Sequence, residues 1–353
     1  MTVMDAPPVA AGRFARASFA GSASEYFGIW IVNVLLTILT LGIYSAWAKV
    51  RRKRYFYGNT FILDRAFEYH ARGSQILIGR LIVIGALIVI NVLGIIHPLF
   101  TLVTWLAIVI GLPWLIKRSL RFNARVTSYR NVRFDFVGST GGAFVAVTLG
   151  GMVAFLSLGI LAPLASRWLW RYILNNLRYG DRAFGTDPRL GALYRVWLLP
   201  ALLFALGAVA VGTIIAAAIA MERNPGGPGD GFTVFAVLLP YLIFLALGLA
   251  GLIYRIGVRN VVLSAALLDR RHELLSDAPR LRYAWIAISN FIVTVLTFGL
   301  MRPWAAVRMA RFMNEHTGIR INGDPGEVIS QIEASGSAVS AEYVDMEGFD
   351  FGF

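Results

Sequence analysis

Apolar residues along the chain gather into seven blocks separated by basic, turn-rich segments. Four blocks, 76–96, 99–116, 196–221 and 232–254, are predicted to cross a bilayer as helices, since a hydrocarbon core of about 30 Å needs roughly 20 apolar residues. Arg80 lies near one end of the first, where a long side chain reaches the interface. His97-Pro98 breaks the first pair of blocks, and the Pro- and Gly-rich stretch 224–230 reads as a loop between the second pair. The four blocks therefore form two long helical hairpins, each entering and leaving on one side. The other three blocks, 26–41, 143–158 and 284–298, are shorter. A sixteen-residue helix reaches about 24 Å, short of a full crossing. Each of these blocks ends in a glycine (Gly42, Gly159, Gly299), and a second helix then gathers positive charge within a few residues.

Aligning the three glycines exposes a repeat. The first copy reads Thr40-Leu41-Gly42-Ile43, then Trp47-Ala48-Lys49-Val50-Arg51 and Arg54-Tyr55. The last reads Thr297-Phe298-Gly299-Leu300, then Pro303-Trp304-Ala305-Ala306-Val307-Arg308 and Arg311-Phe312. The middle copy keeps Gly159, Pro163 and Arg171-Tyr172, and loses the Trp and Asn of the others. Asparagine stands nine residues before the glycine in the outer copies (Asn33, Asn290), and arginine twelve residues after it in all three (Arg54, Arg171, Arg311). The long hairpins carry a looser ending, with Pro113-Trp114 before Arg121-Phe122 and a matching arginine at Arg259. Ten residues beyond these arginines come Asp64, Asn131, Asp181 and Asp269, residue types that favour tight turns, whereas the fifth copy has Ile321 there. Short apolar-rich stretches flank the turns, as in 60–63 with 66–69 and in 133–136. Lone two-stranded hairpins are marginal in water, so these are expected to pair with one another into a small sheet capping one membrane face.

Composition turns this pattern into a membrane protein. The chain of 353 residues is 57% hydrophobic and 15% charged, against about 45–50% and 25% in soluble domains. Its net charge of +13 is uneven: residues 1–323 carry all 33 Lys and Arg, while 324–353 carry seven acids and no base. No apolar run follows Arg13 and Arg16, so a cleaved signal peptide is not expected. If each short block crossed once and its basic partner stayed outside the bilayer, the basic clusters would alternate sides. If the short units dip in and return, all five clusters face the cytoplasm and Arg223 is the lone base outside. The second topology is the better fit and puts both termini in the cytoplasm; the side assignment holds even if a short unit spans fully.

Candidate chemistry is sparse. All twenty acids lie outside the apolar blocks, there is no cysteine, and His70, His97, His272 and His316 have no metal-ligand spacing. Neither a phosphate-binding glycine loop nor a Ser-His-Asp arrangement stands out, so the sequence supports no catalytic residue, cofactor or metal. The intramembrane polar candidates are Asn33, Thr37 and Thr40, matched by Asn290, Thr294 and Thr297. Spacings of three and four place each set on one helix face. Such groups either bond helix to helix or line a site between the first and last copies. The second candidate set is Trp47, Lys49, Arg51, Arg54, Trp114, Arg121, Arg171, Trp304, Arg308 and Arg311. Beside an anionic leaflet these residues either anchor the protein or bind lipid headgroups in a groove. The basic residues form juxtamembrane turns rather than a separate soluble domain, so no nucleic-acid partner is expected. The acidic tail reads as a solvated segment, with self-contact to the basic face or a protein partner as alternatives.

The run Tyr26-Phe27, Ile29-Trp30-Ile31-Val32-Asn33, Leu36-Thr37, Leu39 to Ser45, Trp47-Ala48-Lys49 and Arg51, continued by Tyr55, Tyr57-Gly58-Asn59-Thr60, resembles the YjgN-type family of bacterial inner-membrane proteins. The resemblance covers about residues 18–320 and implies a location and an architecture; the family, a domain of unknown function, supplies no catalytic residues. The expected fold is an all-α polytopic membrane protein with short cytoplasmic β-hairpins, built from internal repeats of short, re-entrant and long helical hairpins. Its parts are a flexible segment 1–17, a membrane domain 18–323 of five units (25–70, 75–137, 140–187, 190–273, 283–323) and a disordered tail 324–353. The expected role is a passive transporter or lipid-interacting protein using the repeat interface; the alternative is a non-catalytic scaffold that recruits partners.

Overall fold

The computed structural model describes residues 13–96, 98–223 and 230–323, with 330, 331 and 334. His97, the loop 224–229 and nearly all of the acidic tail lie outside the described residues. The chain opens with two short strands, β1 (Arg13–Arg16) and β2 (Ser18–Phe19). A helix pair and a β-hairpin then follow one another four times. The first set is α1 (Ala23–Leu39), α2 (Ser45–Gly58), β3 (Thr60–Ile62) and β4 (Arg65–Tyr69); the second is α3 (Gly73–Ile96), α4 (Pro98–Arg125), β5 (Thr127–Tyr129) and β6 (Val132–Phe136). In the third, α5 (Thr140–Ala143) runs through a π-helical stretch, Phe144–Leu149, into α6 (Gly150–Leu156), before α7 (Ala162–Asn175), β7 (Leu177–Tyr179) and β8 (Arg182–Thr186). The fourth is α8 (Leu190–Arg223), α9 (Asp230–Ser264), β9 (Ala266–Leu268) and β10 (His272–Ser276). The last pair, α10 (Arg280–Leu296) and α11 (Arg302–Glu315), leads into the single strand β11 (Thr317–Ile321).

Local chemistry builds these units. In the three short pairs the helices meet at a left-handed turn, with φ of 50° and 91° at Leu41 and Gly42, 51° and 84° at Leu158 and Gly159, and 50° and 90° at Phe298 and Gly299. Each glycine N–H donates to a carbonyl five residues back, at Thr37, Ala154 and Thr294, over 2.7–2.8 Å. The hydroxyls of Thr40, Ser157 and Thr297 accept the N–H of Tyr44, Leu161 and Met301. The β-hairpins turn at Leu63-Asp64 and Arg130-Asn131 with both φ positive, the twist that suits a two-residue hairpin loop. Asp269-Arg270 is left-handed as well. The turn residues singled out by their offset, Asp64, Asn131 and Asp269, thus sit in turns.

The expected all-α class is overturned by the strands. They form one 11-stranded antiparallel sheet in the order β1-β11-β10-β9-β8-β7-β6-β5-β4-β3-β2. The hairpins do pair with one another, but into a nearly closed 11-stranded barrel rather than a small capping sheet. The two ends of that order, β1 and β2, are neighbours in the chain, separated by Ala17, whose N–H donates to Thr317 O at 2.8 Å. Separate hairpins would each leave unpaired backbone edges; pairing them in a ring satisfies those edges. Arg13–Arg16, in the segment read as a flexible lead, supplies the second strand that the last unit lacks.

Packing follows the same circular order. Apolar clusters fill every seam between successive units: Val50, Tyr69, Ile76 and Phe122 between the first and second, Ala124, Phe136, Ala143 and Tyr172 between the second and third, and Leu174, Leu193, Val258 and Val262 between the third and fourth. Ile256, Ile286 and Phe312 join the fourth to the fifth, and Phe19, Tyr26 and Val307 close the fifth onto the first. A separate cluster, with Tyr129, Val132, Tyr179 and Leu268, lies inside the barrel beside a cavity of about 290 Å³; there Phe67 lies 4.8 Å from Tyr129 and Phe134 4.9 Å from Tyr179, ring to ring.

The count of long apolar helices is also corrected. Among the described residues three, Gly73–Ile95, Leu190–Ala217 and Leu239–Ser264, are long and apolar enough to cross a membrane. The fourth expected span, 99–116, belongs to α4, which carries Lys117, Arg118, Arg121 and Arg125 within the same helix.

Candidate anion-binding crevice

The recurring arginines turn out to join helices to strand ends. Arg54 donates to Tyr69 O and Ala71 O, both at 3.2 Å. Arg121 donates to Phe136 O at 3.0 Å and Arg259 to Ser276 Oγ at 2.5 Å. Arg171 lies 3.6 Å from the Asp187 carboxylate, and Arg311 donates to Gly21 O at 3.4 Å, just past β2. In all five units the guanidinium thus engages the chain at or just past the end of a strand. Among the aromatic candidates, Trp47 stacks on Tyr44 and lies over Gly73, where an added Cβ would come within 2.5 Å of the indole. Trp114 and Trp304 each sit under a guanidinium, of Arg118 at 5.5 Å and Arg308 at 5.1 Å.

The two matched polar sets part company. Asn290 is satisfied within its own helix pair: its Nδ2 donates to Ala305 O at 2.9 Å, and its Oδ1 accepts from Arg308 at 3.1 Å. Thr297 and Thr40 hold the turns described above, and the Thr294 carbonyl accepts the Gly299 N–H. Asn33 is different. It is 7% exposed, and its Oδ1 has no hydrogen-bond partner. With Thr37 it lines a crevice of about 360 Å³ between α1, α2, α3 and α11.

That crevice collects cations from three units. Lys49 and Arg52 come from α2, Arg80 from α3 and Arg302 from α11. Arg80 donates to Ser45 Oγ at 2.5 Å, and among the described residues no acid lines the crevice. Burial, then the charges of Arg80 and Arg52, lower the pKa of Lys49. On the other side of α11 a larger crevice of about 710 Å³ holds Arg282, Arg308 and Arg311, but there Glu315 offsets part of the charge. Of the sequence candidates, Asn33, Thr37 and Lys49 meet in the cationic crevice, while Asn290, Thr294 and Thr297 do not line it. Arg52 was legible only as part of the basic run 49–54, and Arg302 was not legible as a site residue. Arg302 stands at the turn of the last copy where the first has Ser45, a substitution with no local signal.

The family described as "Bacterial protein of unknown function (DUF898)" matches residues 14–346. The chain belongs to that family. It is similar to a protein named "Inner membrane protein YjgN" from Salmonella typhimurium (strain LT2), 24% identical over 350 residues, covering 87% of this chain and 88% of the relative. Proteins of the same name from Escherichia coli O157:H7 and K12 are each 34% identical over 152 residues, covering 40% of this chain and 38% of theirs. No solved structure matches.

Proposed function

We propose that this chain is a multi-pass protein of the bacterial inner membrane, built from five repeated units, that interacts with anionic lipid along a basic cytoplasmic face. The observation that carries this reading is the exposure of the short-hairpin tips. Leu41 is 95%, Leu158 74% and Phe298 97% exposed, and Leu39, Phe155 and Leu296 beside them are exposed too. Large apolar patches rarely face water in soluble proteins, so these tips are suited to hydrocarbon. One helix further on, the same units carry Lys49 to Arg54, Arg167 and Arg171, and Arg302 to Arg311, residues that favour the headgroup layer of an anionic leaflet. The names of the relatives agree with this location. The scaffold alternative leans on the acidic tail, of which nearly all lies outside the described residues.

The chain has no cysteine, so single cysteines report cleanly. Cysteines replacing Leu41 or Phe298 are expected to resist an impermeant thiol reagent in intact spheroplasts. A cysteine replacing Arg65, at a hairpin turn, is expected to react only in inside-out vesicles. Labelling of the Arg65 position from outside would overturn the orientation.

A further inference from the structure

We propose that the crevice between α1, α2, α3 and α11 binds the phosphate group of an anionic phospholipid, with an acyl chain laid along the neighbouring groove between α3 and α4. The inference rests on the bilayer reading above and deepens it by naming the lipid group and the residues that hold it.

Charge is the first observation. Lys49, Arg52, Arg80 and Arg302 converge without an acid in the lining, and none of them forms an ion pair among the described residues. Four like charges gathered in a partly buried crevice repel one another, and an anion of high charge density relieves that repulsion. A phosphate offers several acceptor oxygens, which guanidinium groups bind in charge-assisted, often paired hydrogen bonds. Asn33 is the second observation. Its amide is more than nine-tenths buried and lines the crevice with Oδ1 unpartnered. Its equivalent Asn290 has partners at both ends of the amide. A buried acceptor left unpaired is costly, and what Oδ1 lacks is a donor, such as a headgroup hydroxyl beside the phosphate in phosphatidylglycerol.

The third observation selects a lipid over a free anion. A groove of about 400 Å³, lined by Ile76, Val83, Ile84, Leu115 and Ile116, shares Lys49 and Arg80 with the crevice. Cations therefore stand at the mouth of an apolar channel, an arrangement that matches an amphiphile with a negative head. A soluble phosphate would use only the crevice.

The test uses the full chain in nanodiscs of phosphatidylcholine with and without phosphatidylglycerol, with retained lipid counted by native mass spectrometry. The wild-type protein is expected to retain phosphatidylglycerol preferentially. Arg302→Gln and Arg52→Gln should each lower that retention about fivefold. Arg72→Gln, an exposed arginine in the loop before α3 and outside the crevice, should change it by less than about twofold. The Arg302 side chain has no hydrogen bond among the described residues, its backbone N–H alone donating to Gly299 O, so its replacement is expected to leave folding intact. Asn33→Asp, which keeps the shape and adds a negative charge, should abolish the preference. Equal losses from Arg72→Gln and Arg302→Gln would reduce the effect to diffuse charge and overturn the site. Release of the lipid by inorganic phosphate or pyrophosphate would overturn the lipid assignment in favour of a soluble anion. Loss of the preference while the cysteine-labelling pattern persists would sink this inference and leave the bilayer reading standing.

Discussion

Lys53 shows how a single residue reports on the seam between the first two units. Its Nζ donates to Asn123 Oδ1 at 2.5 Å and lies 4.8 Å from the centre of the Tyr69 ring. Burial, then Lys49 and Arg52 on its own helix, lower its pKa from 10.5 to about 8. The folded protein therefore disfavours the charged form, and the cost is present in full below about pH 8. As pH rises toward 10.5 the unfolded chain loses the same proton and the cost disappears, so this group makes stability rise across that window. Lys53→Met is expected to flatten the rise, read as thermal unfolding in detergent at several pH values. Superimposable profiles for the two proteins would contradict it. The basic run around Lys53 was legible in the sequence; its burial was not, because Asn123 approaches only when the second unit docks.

At the scale of elements, the left-handed turn is the most transferable feature of the sequence. Gly42, Gly159 and Gly299 have φ between 84° and 91°, and a Cβ at any of them would meet nothing within 4 Å. The cost of a side chain there is therefore one of backbone conformation alone. Gly299→Ala is expected to cost about 1–2 kcal/mol, with a similar value at Gly42. Denaturation of the two variants side by side checks this, and a neutral outcome would show that the turn relaxes. The spacing from glycine to arginine was readable for the same reason: a turn of fixed geometry and a helix of fixed rise place the guanidinium at the end of its strand. The prolines Pro113, Pro163 and Pro303, recurrent in the sequence, are all fully buried. What the recurrence concealed was divergence of use, with Asn290 satisfied and Asn33 not.

At the scale of the whole molecule, the ring depends on seven residues at the start of the chain. Arg13 to Arg16 pair with β11, while Ser18 and Phe19 pair with β3. Arg16 also clasps Asp277 at 2.7 Å and donates to Glu315 O at 2.8 Å. Removing residues 1–19 is expected to leave β11 and β3 as open edges. Hydrogen exchange should then quicken in 317–321 and 60–62 first, and aggregation should increase. Unchanged protection in both segments would mean that helix packing alone closes the ring. The same closure brings Arg302 of the last unit beside Asn33 of the first and so makes the crevice.

The sequence by itself determined the units: the apolar blocks, the glycine turns, the strand turns at Asp64, Asn131 and Asp269, and the offset that recurs at Arg54, Arg121, Arg171, Arg259 and Arg311. Those features are local, set by helix rise, turn chemistry and apolar length, and each is complete within one unit. Only the tertiary structure decided how the units meet. Backbone pairing between strands carries little side-chain signature, so the small sheet expected of the hairpins becomes an 11-stranded barrel, and a basic N-terminal stretch becomes its closing strand. The crevice belongs to that second level, because its cations come from residues as far apart as Lys49 and Arg302 and share a site only once the ring is shut.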